Sequence, residues 1–184
     1  MKYNKHNAEK LQDFESMYTN INTALYKYIY ILVKDQYLAD DVLQKTVFDA
    51  FLSIDHLRDR SEFKSWIFTI AKRNSIHNMQ IGKHEYLTNE MIDFIDNKYK
   101  STEDSTPLLC DIMNDIVDTL EPKYKEIITL IYYNNFNILE AAEVMNIKYN
   151  TAKSRHLRAL QIIKIRIDEY TNKSYKKSNV VVAS

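Results

Sequence analysis

Corners in a polypeptide draw on residues that tolerate positive φ, and this chain has almost none to offer. Its 184 residues include a single glycine, Gly82, and two prolines, Pro107 and Pro122. Average usage is about 7% glycine and 5% proline. Tight β-hairpins depend on glycine and asparagine at their central positions, so so little glycine favours few corners and long helices. The chain is therefore predicted to be all-α, with length enough for one well-packed domain or two small ones.

Apolar spacing supports this. Leu11, Phe14, Tyr18, Ile21, Leu25, Tyr28 and Leu32 recur every three or four residues and mark one helical face. Leu38, Val42, Leu43, Val47, Phe48 and Phe51 repeat the pattern. After the polar break at residues 55–61, Ser61 is the expected cap of a third helix carrying Phe63, Trp66, Ile67, Ile70 and Ala71 inward. Beyond Gly82 the period weakens, and KYKSTEDSTP, residues 98–107, has a linker's composition. Thr106-Pro107 then starts a helix to Leu120, and Glu121-Pro122 starts another running to Tyr133.

The formal net charge is zero, but its distribution is uneven. Glu85 to Glu121 holds ten acidic and two basic residues, a net of −8. Asn150 to Lys177 holds eight basic and two acidic residues, a net of +6, and His56 to Lys83 carries a net of +4. Two basic blocks flanking an acidic one are informative about partners where the total charge is not. The five histidines lack ligand spacing and Cys110 is the only cysteine, so neither a metal site nor an intramolecular disulfide is expected. One glycine leaves no phosphate-cradling loop. No catalytic residue and no cofactor is expected. The opening residues, with Lys2, Lys5, His6 and Glu9, hold no apolar signal core, and no run approaches a membrane span. A cytoplasmic protein without membrane insertion is the expectation.

The stretch NILEAAEVMNIKYNTAKSRHLRALQ, Asn137 to Gln161, carries the most specific pattern. Asn137 and Glu140 have capping-box spacing before a short helix. Ala141 and Ala142 allow a second helix to cross closely, and Asn146 suits a left-handed corner that Ile147 can plug. The following helix is expected to turn Ala152, Leu157, Leu160 and Ile163 inward. Asn150, Thr151, Lys153, Ser154, Arg155 and Arg158 then face outward. A short helix, a tight corner and a basic second helix together match a helix-turn-helix offering its first turns to base edges. Lys153 and Arg155 suit phosphate or guanine, and Ser154 suits either kind of group. A helical hairpin with a solvated basic face remains the alternative on these residues alone.

The longer stretch Leu120 to Leu160 resembles the C-terminal DNA-binding domain of bacterial extracytoplasmic function (ECF) sigma factors. Within it, NTAKSRHLRA is similar to the family's helix that reads the −35 promoter element. ADDVLQKTVFDAF, Ala39 to Phe51, resembles the family's helix that docks on core RNA polymerase. FKSWIFTIAKRNSI, Phe63 to Ile76, resembles the segment that captures the −10 element. The resemblance covers roughly residues 10–168 and implies two small helical domains joined by a flexible linker. Residues 1–82 would be sigma domain 2, 83–106 an acidic linker, 107–170 the helix-turn-helix of domain 4, and 171–184 a tail.

Carried onto this sequence, the resemblance implies roles for particular residues. Asp40, Asp41 and Gln44 would face the polymerase. Arg58, Arg60, Trp66, Lys72, Arg73 and Asn74 would meet the −10 strand, with Lys72, Arg73 and Asn74 the stronger candidates and Trp66 divided between contact and core. Asn150, Thr151, Lys153, Ser154, Arg155 and Arg158 would meet the −35 duplex. The implied partners are core RNA polymerase, through its β′ clamp coiled coil and β flap, promoter DNA, and an anti-sigma factor of the kind the family commonly has. Arg73 stands where the family usually has asparagine, Lys45 where an acidic residue is common, and Asn146 and Asn150 replace the usual glycines. A stand-alone helix-turn-helix regulator, with the N-terminal helices for dimerisation or sensing, is the alternative function.

Overall fold

The computed structural model describes residues 2–82 and 107–181, and it holds helices and turns with no strand among the described residues. The expected linker, 83–106, lies outside them. In chain order the helices are α1 (Lys2–Thr19), α2 (Asn22–Val33), α3 (Gln36–Ser53), α4 (Phe63–Gly82), α5 (Pro107–Asp118), α6 (Pro122–Ile128), α7 (Ile138–Met145) and α8 (Tyr149–Val181). A π-turn, Thr129–Tyr133, continues α6. Helix α8 runs past residue 170, where the sequence placed the start of a tail.

The one apolar face expected from Leu11 to Leu32 is split at Asn20-Ile21 between α1 and α2. The bend lets Phe14 reach Phe51 and Phe63, each edge-on at 5.6 Å, while Leu25, Tyr28 and Ile29 are fully buried. Lys34 turns α2 into α3 in the left-handed conformation (φ 55°), and Asp35 caps α3 by accepting from the Leu38 N–H at 2.7 Å. At the start of α4 the capping residue is Asp59 rather than Ser61. Its carboxylate accepts from the Ser61 N–H at 2.8 Å and begins a 3-10 turn, Arg60–Glu62, that leads into the helix. Hydrogen bonding from the Ser61 backbone, and secondarily from its side chain, holds the Asp59 carboxyl below its ordinary pKa.

Helices α2, α3 and α4 pack together, and α5, α6, α7 and α8 form a second unit around Ile127, Leu130, Ala141, Val144 and Ala159. The two units are not separate. Helix α4 lies along α7, and Tyr28, Phe68 and Phe136 form a continuous set of buried rings with centroid spacings of 5.1 and 5.0 Å.

Candidate nucleic-acid interface

The corner at 146 is built as its residues dictate. The Asn137 side-chain oxygen accepts from the N–H groups of Leu139 (2.9 Å) and Glu140 (3.0 Å), and the Glu140 carboxylate accepts from the Asn137 N–H at 2.7 Å. This reciprocal box satisfies donors that a helix start leaves orphaned. Asn137→Ala is expected to cost about 0.5–2 kcal/mol, read as a lower midpoint in thermal denaturation. Asn146 ends α7 in the left-handed conformation (φ 53°), and the Ile147 N–H closes the turn onto the Ala142 carbonyl at 2.9 Å. Ala141, Ala142, Ala152 and Ala159 are all buried, so α7 and α8 cross with little between them. Asn150, the other asparagine that stands where the family usually has glycine, lies in the first turn of α8.

Asn150, Thr151, Lys153, Ser154 and Arg158 are exposed on the first turns of α8, and Arg155 is half-buried. The Ser154 hydroxyl donates back to the Asn150 carbonyl at 2.8 Å, and Arg158 donates to the Gln161 side chain at 3.3 Å. Arg155 lies near Lys123, whose ammonium is raised chiefly by its hydrogen bond to Glu121 and is opposed by Arg155. One expectation is corrected here. Leu157 is 52% exposed rather than inward, because the buried stripe runs through Ala152, Ala159 and Ile163. At about 100° per residue Leu157 sits some 160° from Ala159. It lies on the outward face between Ser154, Arg158 and Gln161, an apolar side chain of the kind that meets a thymine methyl. Its spacing from the alanines was the signal that could have found it. His156 bonds the Tyr132 hydroxyl through Nε2 at 3.1 Å, and burial lowers its pKa.

The expected −10 residues divide. Arg58, Arg60 and Arg73 are exposed, and Trp66 is half-buried with its ring 5.9 Å from that of Phe63. Asn74, expected at a base, is 4% exposed, and its amide donates to the Asp49 carboxylate at 3.0 Å. It ties α4 to α3, as its place in the Phe63, Ile67, Ile70, Ala71 period requires. Lys72 is also turned away from solvent. Its ammonium donates to the Met145 carbonyl at 3.0 Å and pairs with Glu126 at 2.8 Å, across the boundary between the two units.

On α3, Asp40, Asp41 and Gln44 are all exposed. Gln44 borders an open apolar groove between α1 and α3, walled by Leu11, Phe14, Tyr18, Val47 and Phe48. Among the described residues no group of three His, Cys, Asp or Glu could hold a metal ion, and no helix is long and apolar enough to cross a membrane.

With this geometry in place, comparison with known proteins is specific. Residues 17–80 match the family model described as Sigma-70 region 2, and residues 111–163 match Sigma-70, region 4. The chain belongs to the sigma-70 family. Its ECF branch is indicated by the ECF RNA polymerase sigma factor SigM of Bacillus subtilis, 29% identical over 157 residues that cover 84% of this chain and 93% of SigM. The RNA polymerase sigma factor SigV of the same organism is 28% identical over 147 residues, 77% of this chain and 83% of SigV. The sigma factor RpoE of Bartonella quintana, solved in complex with the anti-sigma factor NepR, has the same fold, with a TM-score of 0.69 at 22% identity over 85% of this chain and 98% of that one. CnrH, solved with the cytosolic domain of CnrY, gives 0.57 at 16% identity over 89% and 97%.

In this sigma-family chain the region 2 match runs from late α1 into α4, and the region 4 match from α5 into α8. Most of α1 therefore precedes the matched segment, although its Leu11 and Phe14 wall the groove beside Gln44. The bonds from Lys72 to Glu126 and Met145 join one matched region to the other. Sequence reasoning missed Leu157 and Glu126. The first was legible from spacing. The second contacts residues 54 and 98 positions away, and no local pattern could have revealed it.

Proposed function

We propose that this chain is a promoter-specificity subunit that binds core RNA polymerase, brings it to −10 and −35 elements and helps to open the DNA between them. The observation that carries the reading is the outward face of α8. Asn150, Thr151, Lys153, Ser154, Leu157 and Arg158 are presented there by a correctly capped helix-turn-helix, in a chain whose other half is region 2. In this reading residues 1–82 and 107–170 act as the two recognition domains, joined by 83–106. Arg155 adds to the −35 contact from its half-buried place. Arg58, Arg60, Arg73 and Trp66 provide the −10 surface. Strand opening proceeds by holding unstacked bases, which costs a few kcal/mol per base and needs no covalent step, so the protein is not an enzyme. It works in the cytoplasm with promoter DNA and polymerase as partners. The family likeness extends the proposal to an anti-sigma partner.

Asp40, Asp41 and Gln44 are the proposed polymerase contacts, with the β′ clamp coiled coil as their partner and the β flap as that of the C-terminal unit. Asp41→Arg reverses an exposed charge that makes no ion pair at 4 Å or less among the described residues, so the fold should be retained. Co-elution with core enzyme is expected to weaken by roughly tenfold. Undiminished co-elution would remove Asp41 from the interface.

The test of the whole reading is transcription. Purified protein is mixed with core enzyme and a promoter library, and the run-off products are sequenced. New transcripts sharing a pair of upstream elements are expected. Operator binding without core, and without new transcripts, would favour a stand-alone regulator instead.

A further inference from the structure

The polar segment between α3 and α4 carries Arg58 and Arg60, yet its own residues do little to fix it. Ile54 and Phe63 anchor its ends in the core, while Asp55, His56 and every residue from Arg58 to Glu62 are exposed. Within it the Leu57 N–H closes a turn on the Ile54 carbonyl at 3.0 Å, and Asp59 caps the turn Arg60–Glu62. Further contacts come from α1. Lys10, Asp13 and Phe14, spaced by three and four residues, share one face of that helix. The Lys10 ammonium donates to the Asp55 carboxylate at 2.5 Å and lies 5.2 Å from the Phe51 ring centre. The Asp13 carboxylate stands 3.8 Å from the Arg60 guanidinium. Phe14 packs edge-on against Phe51, before the segment, and against Phe63, after it.

We propose that Lys10 and Asp13 are positioning residues for the −10 surface: α1 braces segment 54–62 near both ends and thereby sets which nucleotides Arg58 and Arg60 can meet. The consequence for DNA rests on the proposed sigma function. The brace itself does not. Its two ion pairs differ in kind. The Lys10 side chain is 15% exposed and lies against an aromatic ring, so it has little freedom to leave Asp55. Asp13 and Arg60 are 67% and 49% exposed, and at 3.8 Å they form an ion pair without a hydrogen bond. One carboxylate at that distance directs the guanidinium without occupying its five donors, which stay available to a phosphate or a base edge. Exposed ion pairs add little to folding stability, so these contacts suit orientation better than cohesion. Holding a contact group in place favours binding because less side-chain and loop freedom is then lost when the ligand arrives. Both residues precede residue 17, where the region 2 match begins, so the brace reaches the matched region from outside it.

The test uses the full chain. Lys10→Glu and Asp55→Lys each set like charges at the first contact, and the two together restore a pair of reversed sign. Asp13→Lys sets like charges at the second contact. Thermal denaturation checks that each variant is folded. Without polymerase, native-state cleavage by an arginine-specific protease, read by mass spectrometry, reports how firmly the segment is held at Arg58 and Arg60. With core enzyme, run-off from a library randomised in the downstream element reports −10 selectivity, and a matching library randomised upstream serves as control. Cleavage is expected to quicken about fivefold in Lys10→Glu and in Asp55→Lys, the upper range for an exposed ion pair. It should return toward the wild-type rate in the double variant and quicken less in Asp13→Lys. Downstream selectivity should fall and recover in the same order, with upstream selectivity and co-elution with core unchanged. Wild-type cleavage in both folded single variants of the first contact, or no recovery in the double variant, would overturn the brace. Faster cleavage with unaltered downstream selectivity, in a chain that supports promoter-specific run-off, would overturn the positioning role. Absence of promoter-specific run-off from the wild-type chain would instead count against the sigma function, leaving the cleavage rates to judge the brace.

Discussion

Phe68→Ala is expected to destabilise the protein by about 3–5 kcal/mol, the usual cost of truncating a buried phenylalanine. The ring is fully buried and lies between Tyr28 of α2 and Phe136 of the C-terminal unit, at 5.1 and 5.0 Å. Its removal leaves a void bounded by two aromatic rings on elements from different parts of the chain. Neither ring can move into it without abandoning other contacts, Tyr28 its hydrogen bond to Glu126 and Phe136 its packing beneath Lys64. Chemical denaturation followed by intrinsic fluorescence and by circular dichroism is the measurement. Because the site is common to both units, both probes should shift to lower denaturant together. A loss below about 1 kcal/mol, or a shift in one probe alone, would mean that the rings do not form a shared core.

The second large effect concerns α8. Lys153→Ala combined with Arg158→Ala should weaken recognition of the upstream element by roughly 2–6 kcal/mol, taking about 1–3 kcal/mol for each contact and treating them as additive. Both residues are exposed and neither forms an ion pair at 4 Å or less among the described residues, so the fold should be unaffected. Salt dependence separates their roles. A contact to phosphate lowers the slope of log affinity against log salt by about one when removed, whereas a contact to a base changes selectivity instead. Promoter binding by the reconstituted holoenzyme across a salt series distinguishes these cases. Wild-type affinity and selectivity in the double variant would remove α8 from recognition.

Local chemistry made much of this fold legible in the sequence. Few glycines meant few corners, and every described element is helical. Asn137 and Glu140 announced their capping box by spacing alone, and Asn146 its left-handed corner. Where the sequence reading erred within a helix, the period was present but overridden by an expectation of role. Asn74 falls on the same face as Ile67, Ile70 and Ala71, so it packs against α3 even though its neighbours are cationic. Leu157 falls opposite Ala159 and is exposed even though it is apolar. The break at Asn20-Ile21 was hidden because α1 and α2 continue one apolar rhythm across it. The pairing of Lys72 with Glu126 had no local signal at all. It follows from how two helical units close on each other, and charge blocks averaged over a segment do not carry that information.

Among the described residues three non-glycine positions are left-handed, Lys34, Asn135 and Asn146, and they have a consequence for the denatured chain. Each carries local strain in the folded state, roughly 1–2 kcal/mol for a residue with a β-carbon and less for asparagine. Glycine at those corners would relieve the strain, but it would also give the unfolded polypeptide more backbone freedom to lose on folding. By turning without glycine at these corners, the chain accepts a small enthalpic penalty at each and keeps its unfolded ensemble narrower there.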